Sequence, residues 1–293
     1  MADFKPPIYE QADLNGQNLP PRLFRTIAGL VPDEGVLYSW MRKQYGEPRH
    51  QLDILEVGAG TGRMTQILAP YAARLVCTDR SAAALDTLAD KFTQAEVIQA
   101  DTRTIDERLQ PARQFDLAGA FWTLNYPIHE LLATLRDGRI MQRPDIENGI
   151  EEATWMVDRL TDYIRRDGQL IAYFPDSHSA EQQAITHIWN EAQDGDLNPQ
   201  LDLTREIAVA GLQRGAMRNR MHFYATQYEG IAPFVNGEAL TSWYKKHLEQ
   251  GLGSVASSHA FEEATGALVQ HYQTEDGRID VPVSMYELAV SSR

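Results

Sequence analysis

One segment restricts this chain more than any other. An apolar run, Ile54-Leu55-Glu56-Val57, passes directly into Gly58-Ala59-Gly60-Thr61-Gly62 and then into a helical pattern reaching about Tyr71. Glycines at alternate positions between a strand and a helix let the backbone pass close to a ligand, with no β-carbon in the way. Further short apolar runs follow: Leu75-Val76-Cys77-Thr78, Val97-Ile98, Leu117–Trp122 and Leu170–Phe174. Helical patterns separate them. Ser81 is placed to cap a helix with Leu85, Leu88 and Phe92 on one face, and a long helix is expected over roughly Ile150–Arg166. Strands alternating with helices imply an α/β fold, a parallel sheet with helices on both faces.

In such sheets a ligand binds beyond the carboxyl ends of the strands, beside the switch in strand order. The residues just after each strand therefore carry the information. Asp79 follows the second strand, seventeen residues beyond Gly62, and its carboxylate can accept from both hydroxyls of a ribose. Asp101 follows the third and can accept from an exocyclic amine such as that of adenine. Three adjacent strand ends span about 10 Å, the length of an adenosine. Glycines and two acids on successive strands thus describe an adenosine site. The dinucleotide fingerprint wants a small residue where Arg63 stands, and the Gly-Lys-Ser/Thr of a P-loop is missing.

The Glu56…Gly58-x-Gly60-x-Gly62 pattern instead resembles motif I of the class I S-adenosylmethionine (SAM)-dependent methyltransferases, and Asp79 and Asp101 fall where that family keeps its ribose and adenine acids. The resemblance spans roughly residues 50–175. It implies a Rossmann-like, seven-stranded, mostly parallel sheet whose last strand is antiparallel, a place suited to Val281–Val290. It implies SAM as cofactor, with S-adenosylhomocysteine (SAH) as product. The cofactor contacts it points to are Glu56, Gly58, Ala59, Gly60, Gly62, Asp79, Arg80, Asp101, Thr102 and Phe121.

The resemblance also places the transferable methyl beside the end of the fourth strand, at Phe121-Trp122-Thr123-Leu124-Asn125-Tyr126-Pro127-Ile128-His129. Adenine- and glutamine-specific members carry Asn/Asp-Pro-Pro-Tyr/Phe there, and Asn125-Tyr126-Pro127 departs from it. His129 is the candidate general base, since an imidazole titrates near neutrality, and Tyr126 is a candidate to orient the acceptor. Trp122, Asn125 and His178 are candidate substrate contacts. The stretch Glu130–Asn148 is longer than the family's usual link, and extra loop at this edge often selects substrate.

After Phe174 the pattern changes. Leu203–Leu212 and Met217–Tyr228 read as two strands joined at Gln213-Arg214-Gly215-Ala216. In the second, Arg218, Arg220, His222, Tyr224 and Tyr228 alternate with Met217, Met221, Phe223 and Ala225, the period of a half-buried strand. The layout resembles small-molecule N-methyltransferases of the glycine and amino-sugar kind, with an antiparallel lid inserted after strand 5 and a helical N-terminal cap. On that reading Arg218, Arg220, His222 and Tyr224 face substrate, and Tyr9, Arg22 or Arg25 approaches the cofactor. Residues 1–50 are then the cap, with helices near Arg22–Leu30 and Gly35–Tyr45. Residues 51–175 form the SAM-binding core. Residues 176–293 supply the lid, a helix near Gly237–Gln250 and the closing strands, the whole folding as one unit.

Composition narrows the partners. Forty-one acidic against twenty-seven basic side chains give a net charge of −14, which repels a polyanion and favours a small-molecule ligand over nucleic acid. No apolar run approaches the ~18 residues of a membrane span, and the first residues lack the basic start and apolar core of a secretory signal. The single cysteine, Cys77, falls mid-strand as a core residue and fits a reducing compartment, so a cytoplasmic location is expected. The eight histidines are scattered and no metal site is expected. The expectation is a SAM-dependent methyltransferase of a small polar metabolite, at an amine nitrogen ahead of oxygen or sulfur. A methyltransferase of RNA or protein side chains, and a non-catalytic SAM- or SAH-binding protein, stay open as alternatives. So do the choice between monomer and homodimer, and whether SAM gives its methyl or supports another reaction.

Overall fold

The computed structural model describes residues 33–110, 114–136, 139–192, 198–252 and 258–292. The proposed N-terminal cap before Asp33, with Tyr9, Arg22, Arg25 and the Arg22–Leu30 helix, lies outside the described residues. Helix α1 (Asp33–Tyr45) opens with Asp33 and Glu34 and closes with Arg42 and Lys43, charges that suit the two ends of its dipole. Strand β1 (Leu52–Val57) is buried almost throughout, as a central strand covered on both faces must be. The short helix α2 (Thr65–Leu68) leads to β2 (Ala72–Asp79), then α3 (Ala82–Lys91), β3 (Glu96–Gln99) and β4 (Phe115–Phe121). Ser81 caps α3 as expected, its hydroxyl accepting from the Ala84 N–H at 3.2 Å.

Helix α4 (Asn125–Leu132) runs into a small antiparallel hairpin, β5 (Ala133–Arg136) with β6 (Arg139–Gln142). Thus the long link Glu130–Asn148 is a hairpin on the edge of the molecule rather than a plain loop. Helix α5 (Ile146–Arg159) and a 3-10 turn over Leu160–Tyr163 precede β7 (Ile164–Pro175). Then come α6 (Ala180–Ala192), α7 (Asn198–Arg218), β8 (His222–Phe234), α8 (Gly237–Leu252), α9 (His259–Tyr272) and β9 (Ile279–Ser291).

Seven strands form one sheet in the order β3-β2-β1-β4-β7-β9-β8. The first five run parallel, and β9 is antiparallel to both β7 and β8. The order reverses between β1 and β4, so the segments that leave these two strands diverge and open a crevice. Two cores cover the faces. Leu37, Met41, Leu88, Ile188, Tyr244 and Phe261 belong to the first, beneath α1, α3, α6, α8 and α9. Ile128, Leu132, Met156, Val157, Ile207 and Leu212 belong to the second, beneath α4, α5 and α7.

The expected lid is corrected by this topology. Leu203–Leu212 is helical, within α7, and the supposed turn at Gln213–Ala216 continues the same helix. Ile207, Ala208, Leu212 and Ala216 make a helical stripe that is buried against α5, and Gly211 and Gly215 let the two helices close. A β-carbon at Gly215 would lie 2.8 Å from the Asp158 carbonyl. The glycine marks helix packing, where the sequence reading took it for a turn. The second half of the supposed pair does form a strand, but β8 is the edge of the main sheet and not a separate layer. It pairs with β9 from His222↔Ser291 to Phe234↔Ile279, whereas β7 stops pairing at Pro175↔Met285. The β8–β9 ribbon therefore continues past the end of β7 by six residues, about 20 Å. Ala232, Phe234, Ile279, Val281 and Val283 bury this extension against α8 and α9.

Among the described residues no helix is long and apolar enough to cross a membrane, and no group of three metal-binding side chains occurs.

Candidate active site

The glycine loop leaves β1 in a conformation only glycine adopts without strain. Gly58, Gly60 and Gly62 have φ of +68°, +54° and +91°. At Gly58 a β-carbon would fall 1.9 Å from Thr123 Oγ1, so the loop touches the segment leaving β4 across the crevice. At Gly60 the opposite holds: the space before a built β-carbon is open to at least 4 Å. One glycine closes the loop against the protein, and the next leaves a cradle that a side chain would fill. The turn is fixed by Ala59 N–H to the Thr78 carbonyl, 2.9 Å, and Gly62 N–H to the Ala59 carbonyl, 3.0 Å.

Asp79 stands at the end of β2 as expected. Its two oxygens accept from the Gly60 N–H at 2.8 Å and the Ser81 N–H at 2.9 Å, which fix the carboxylate beside the glycine loop. Glu56 is different. It is 2% exposed, accepts from the Thr65 hydroxyl at 2.6 Å and is pushed up to about 8 by burial. It is tied to Thr65 of α2, beneath the loop.

Asp101 caps the 3-10 turn Thr102–Glu107 through the Arg103 N–H, and the Arg103 guanidinium grips both of its oxygens. Burial raises this carboxyl, but the Arg103 bonds outweigh it and hold it below its ordinary value. Arg80 and Arg103 both pair with Glu130, whose side chain is wholly buried on α4. The cluster ties the ends of β2 and β3 to the helix that follows β4.

One residue beside the β4 exit, Asp33, was not read from the sequence. Asp33, 1% exposed at the start of α1, accepts from Arg63 at 2.8 Å and from the Trp122 indole N–H at 2.7 Å. Burial raises its carboxyl even against the nearby Arg63 charge. Arg63, the residue that spoiled the dinucleotide pattern, is the anchor that draws α1 over the glycine loop. A bulky cation beside three glycines needs a carboxylate partner, and two acids opening a helix were the available signal. Trp122 itself has φ +60°, a strained position for a large side chain that turns the chain sharply out of β4.

The remaining expected residues divide sharply. The Phe121 ring folds back over Gly119, where a β-carbon would meet it at 2.5 Å, so it forms the floor of the site. Tyr126 is 42% exposed at the start of α4. Asn125 has its side-chain oxygen buried with no hydrogen-bond partner among the described residues. His129 is 5% exposed, and burial lowers it to about 4, which keeps the imidazole neutral inside the helix packing. The imidazole therefore does not titrate near neutrality, where the sequence reading of a general base expected it to. His178 is largely exposed just beyond β7, beside Asp176, whose carboxylate instead fastens Ser284 and Gln227 to the strand end.

The two arginines leave the expected face. Arg218 ends α7 and pairs with Asp158 and Asp162. Arg220, φ +56°, makes the turn into β8. His222 lies level with Gln169 through Ser291, while the site lies level with Tyr173 and Phe121. Four residues of strand, about 13 Å, separate the two levels. The exposed Tyr224, level with Ala289 and Ile171, lies two residues, about 7 Å, from the level of the site.

The structure brings together another set. Phe121, Tyr173 and Glu287 are consecutive partners across β4, β7 and β9. The Tyr173 ring meets Phe121 at 5.0 Å and Trp122 at 6.4 Å. The Tyr173 hydroxyl and one Glu287 carboxylate oxygen are buried without a hydrogen-bond partner among the described residues.

Residues 54–145 match the family model described as a methyltransferase domain. Over this stretch the chain carries a methyltransferase domain. Among solved structures, YcgJ from Bacillus subtilis is similar over 88% of this chain and 99% of its own, with 14% identity and a TM-score of 0.51, a likeness of fold. The N-methyltransferase NodS from Bradyrhizobium japonicum, solved with SAH, is 12% identical over 89% of this chain and 86% of its own, TM-score 0.43. A comparison with curated proteins finds no match. The residues present suit the cofactor of this fold: the space at Gly60 is open, and the carboxylates of Asp79 and Asp101 stand just beyond β2 and β3, at the same end of the sheet. When bound, SAM supplies an electrophilic methyl group on a sulfonium.

Proposed function

We propose that this methyltransferase acts on a small polar metabolite, and at an amine nitrogen. The carrying observation is the set of polar atoms left unpartnered at the strand ends: Asn125 Oδ1, Tyr173 Oη and Glu287 Oε2. Buried polar atoms without partners are costly, and a ligand with hydrogen-bond donors is the natural way to satisfy them. These atoms are out of solvent, which suits a compact molecule better than a polymer. The net charge of −14 and the departure of Asn125-Tyr126-Pro127 from the adenine- and glutamine-specific motif support the same reading. Holding a nucleophile in line with the methyl and stripping it of water is most of what such an enzyme must do.

Methyl transfer from radiolabelled SAM to a panel of small amines, alcohols, thiols and total RNA tests this. Labelled product and SAH are expected with an amine. Labelling confined to RNA or to protein would overturn the substrate class, and SAH binding with no turnover on any acceptor would leave a binding protein.

A further inference from the structure

We propose that Glu287 and Tyr173 form the receptor for the acceptor's ammonium group, Glu287 taking the proton that nitrogen must lose before it can attack a methyl. This rests on the amine reading above and deepens it to a cationic substrate with named contacts.

The argument is one of placement. Glu287 is 6% exposed and Tyr173 1%, yet each keeps a polar atom with no partner, and the two residues are direct neighbours across β7 and β9. They lie in the row that begins with Phe121, the last residue of β4, and the Trp122 N–H bonds the Tyr173 carbonyl at 3.2 Å. The row is thus tied to the turn where the reactive end of the cofactor belongs in this fold. A carboxylate accepts and a phenol both donates and accepts, so the pair is satisfied by a group bearing several N–H donors. An ammonium offers three.

The groups acting on this pair can be named. Tyr173 senses Glu287 first, then Asp33, Tyr228 and Arg63; Tyr228, from β8, senses Glu287 as well. Asp33 and Arg63 already neutralise each other at 2.8 Å. On the helices over this face, Glu181 of α6 acts on Tyr244, and His187 lies 3.7 Å from Glu263. Among the described residues no cation pairs with Glu287, and burial raises it to about 7. A carboxylate so placed is a stronger base than an exposed one and is matched to proton transfer near neutrality. The step balances simply. The ammonium N–H proton passes to a Glu287 oxygen, the nitrogen lone pair is freed, and the proton later leaves to solvent, one per turnover.

The test uses full-length protein saturated with SAH, with ethanolamine, glucosamine and benzylamine as probes and ethylene glycol, glucose and benzyl alcohol as neutral counterparts. Calorimetry in buffers of different ionisation enthalpy at pH 6.5 is expected to show at least one amine binding with proton release, its alcohol not binding, and Glu287→Gln abolishing both binding and release. In turnover with that amine, Glu287→Gln is expected to lower kcat/KM about 100-fold. The acid limb of the profile near pH 7 should vanish with it, and Tyr173→Phe should mainly raise KM. An unchanged SAH affinity shows that both variants are folded. Amine methylation that survives Glu287→Gln with its pH profile intact would overturn the inference and leave the amine reading standing. Failure of every amine to bind or react with the wild type would bring down both.

Discussion

The two halves of the crevice are built by different means. On the β1–β2–β3 side the ligand seat is made of backbone: three glycines in left-handed conformations, and Asp79, whose carboxylate is oriented by two N–H groups. On the β4–β7–β9 side it is made of side chains that meet from far apart in sequence, Trp122 with Asp33 and Tyr173 with Glu287. A backbone seat demands particular residues at fixed spacing and tolerates little change. A side-chain seat can be refilled, which is how one cofactor fold serves many acceptors.

That contrast can be broken at several places. Gly58→Ala should have the largest effect. A β-carbon there carries about 1–3 kcal/mol of left-handed strain and collides with Thr123 at 1.9 Å. A melting midpoint lowered by roughly 5–10 °C and loss of SAH binding are expected. Wild-type affinity in this variant would mean that the loop is not the seat.

Gly215→Ala should cost stability alone, about 1–3 kcal/mol, by prising α7 from α5. Its SAH affinity should equal that of the wild type in titrations, and a large loss would mean that α7 belongs to the site after all.

Glu56→Gln acts through pH. Burial raises the carboxyl from its ordinary range to about 8, so the folded protein holds the proton more tightly than the unfolded chain. Its contribution is complete below pH 4.5 and is lost as pH rises through 8. The glutamine keeps an acceptor for Thr65 and removes this loss. The variant should gain on the wild type steadily from pH 5 to pH 9 in thermal melts; parallel curves would contradict a buried, protonated Glu56.

Smallest of all, His222→Ala and Tyr224→Ala should change stability by no more than about 0.5 kcal/mol. They should leave SAH binding and turnover alone, since His222 and Tyr224 lie four and two residues of strand short of the Tyr173–Glu287 level. A raised KM in either would restore the lid that the topology removes.

What could be read from the sequence follows the same division. The strand–glycine–helix unit, Asp79, Asp101 and the closing strand Val281–Val290 were legible because local spacing dictates them. Leu203–Leu212 was not: Ile207, Ala208, Leu212 and Ala216 carry a helical stripe, but Gly215 reads as a turn signal when the partner helix is unknown. The acceptor side was illegible for a related reason. Glu287 lies in a strand that alternates ordinarily, and only the register with Tyr173 reveals it as buried and unpaired. His129 misled because a histidine at a strand end looks reactive until α4 is seen to bury it.

The central claim is that the glycine loop and Asp79 seat SAM, and calorimetric titration of SAH into wild type and Asp79→Ala tests it most directly. The account predicts saturable one-site binding to the wild type, with NAD giving none. The variant, deprived of both a ribose acceptor and the brace on Gly60, should bind about 10–100-fold more weakly. Equal affinity in the two proteins, or no binding of SAH to the wild type, would contradict it.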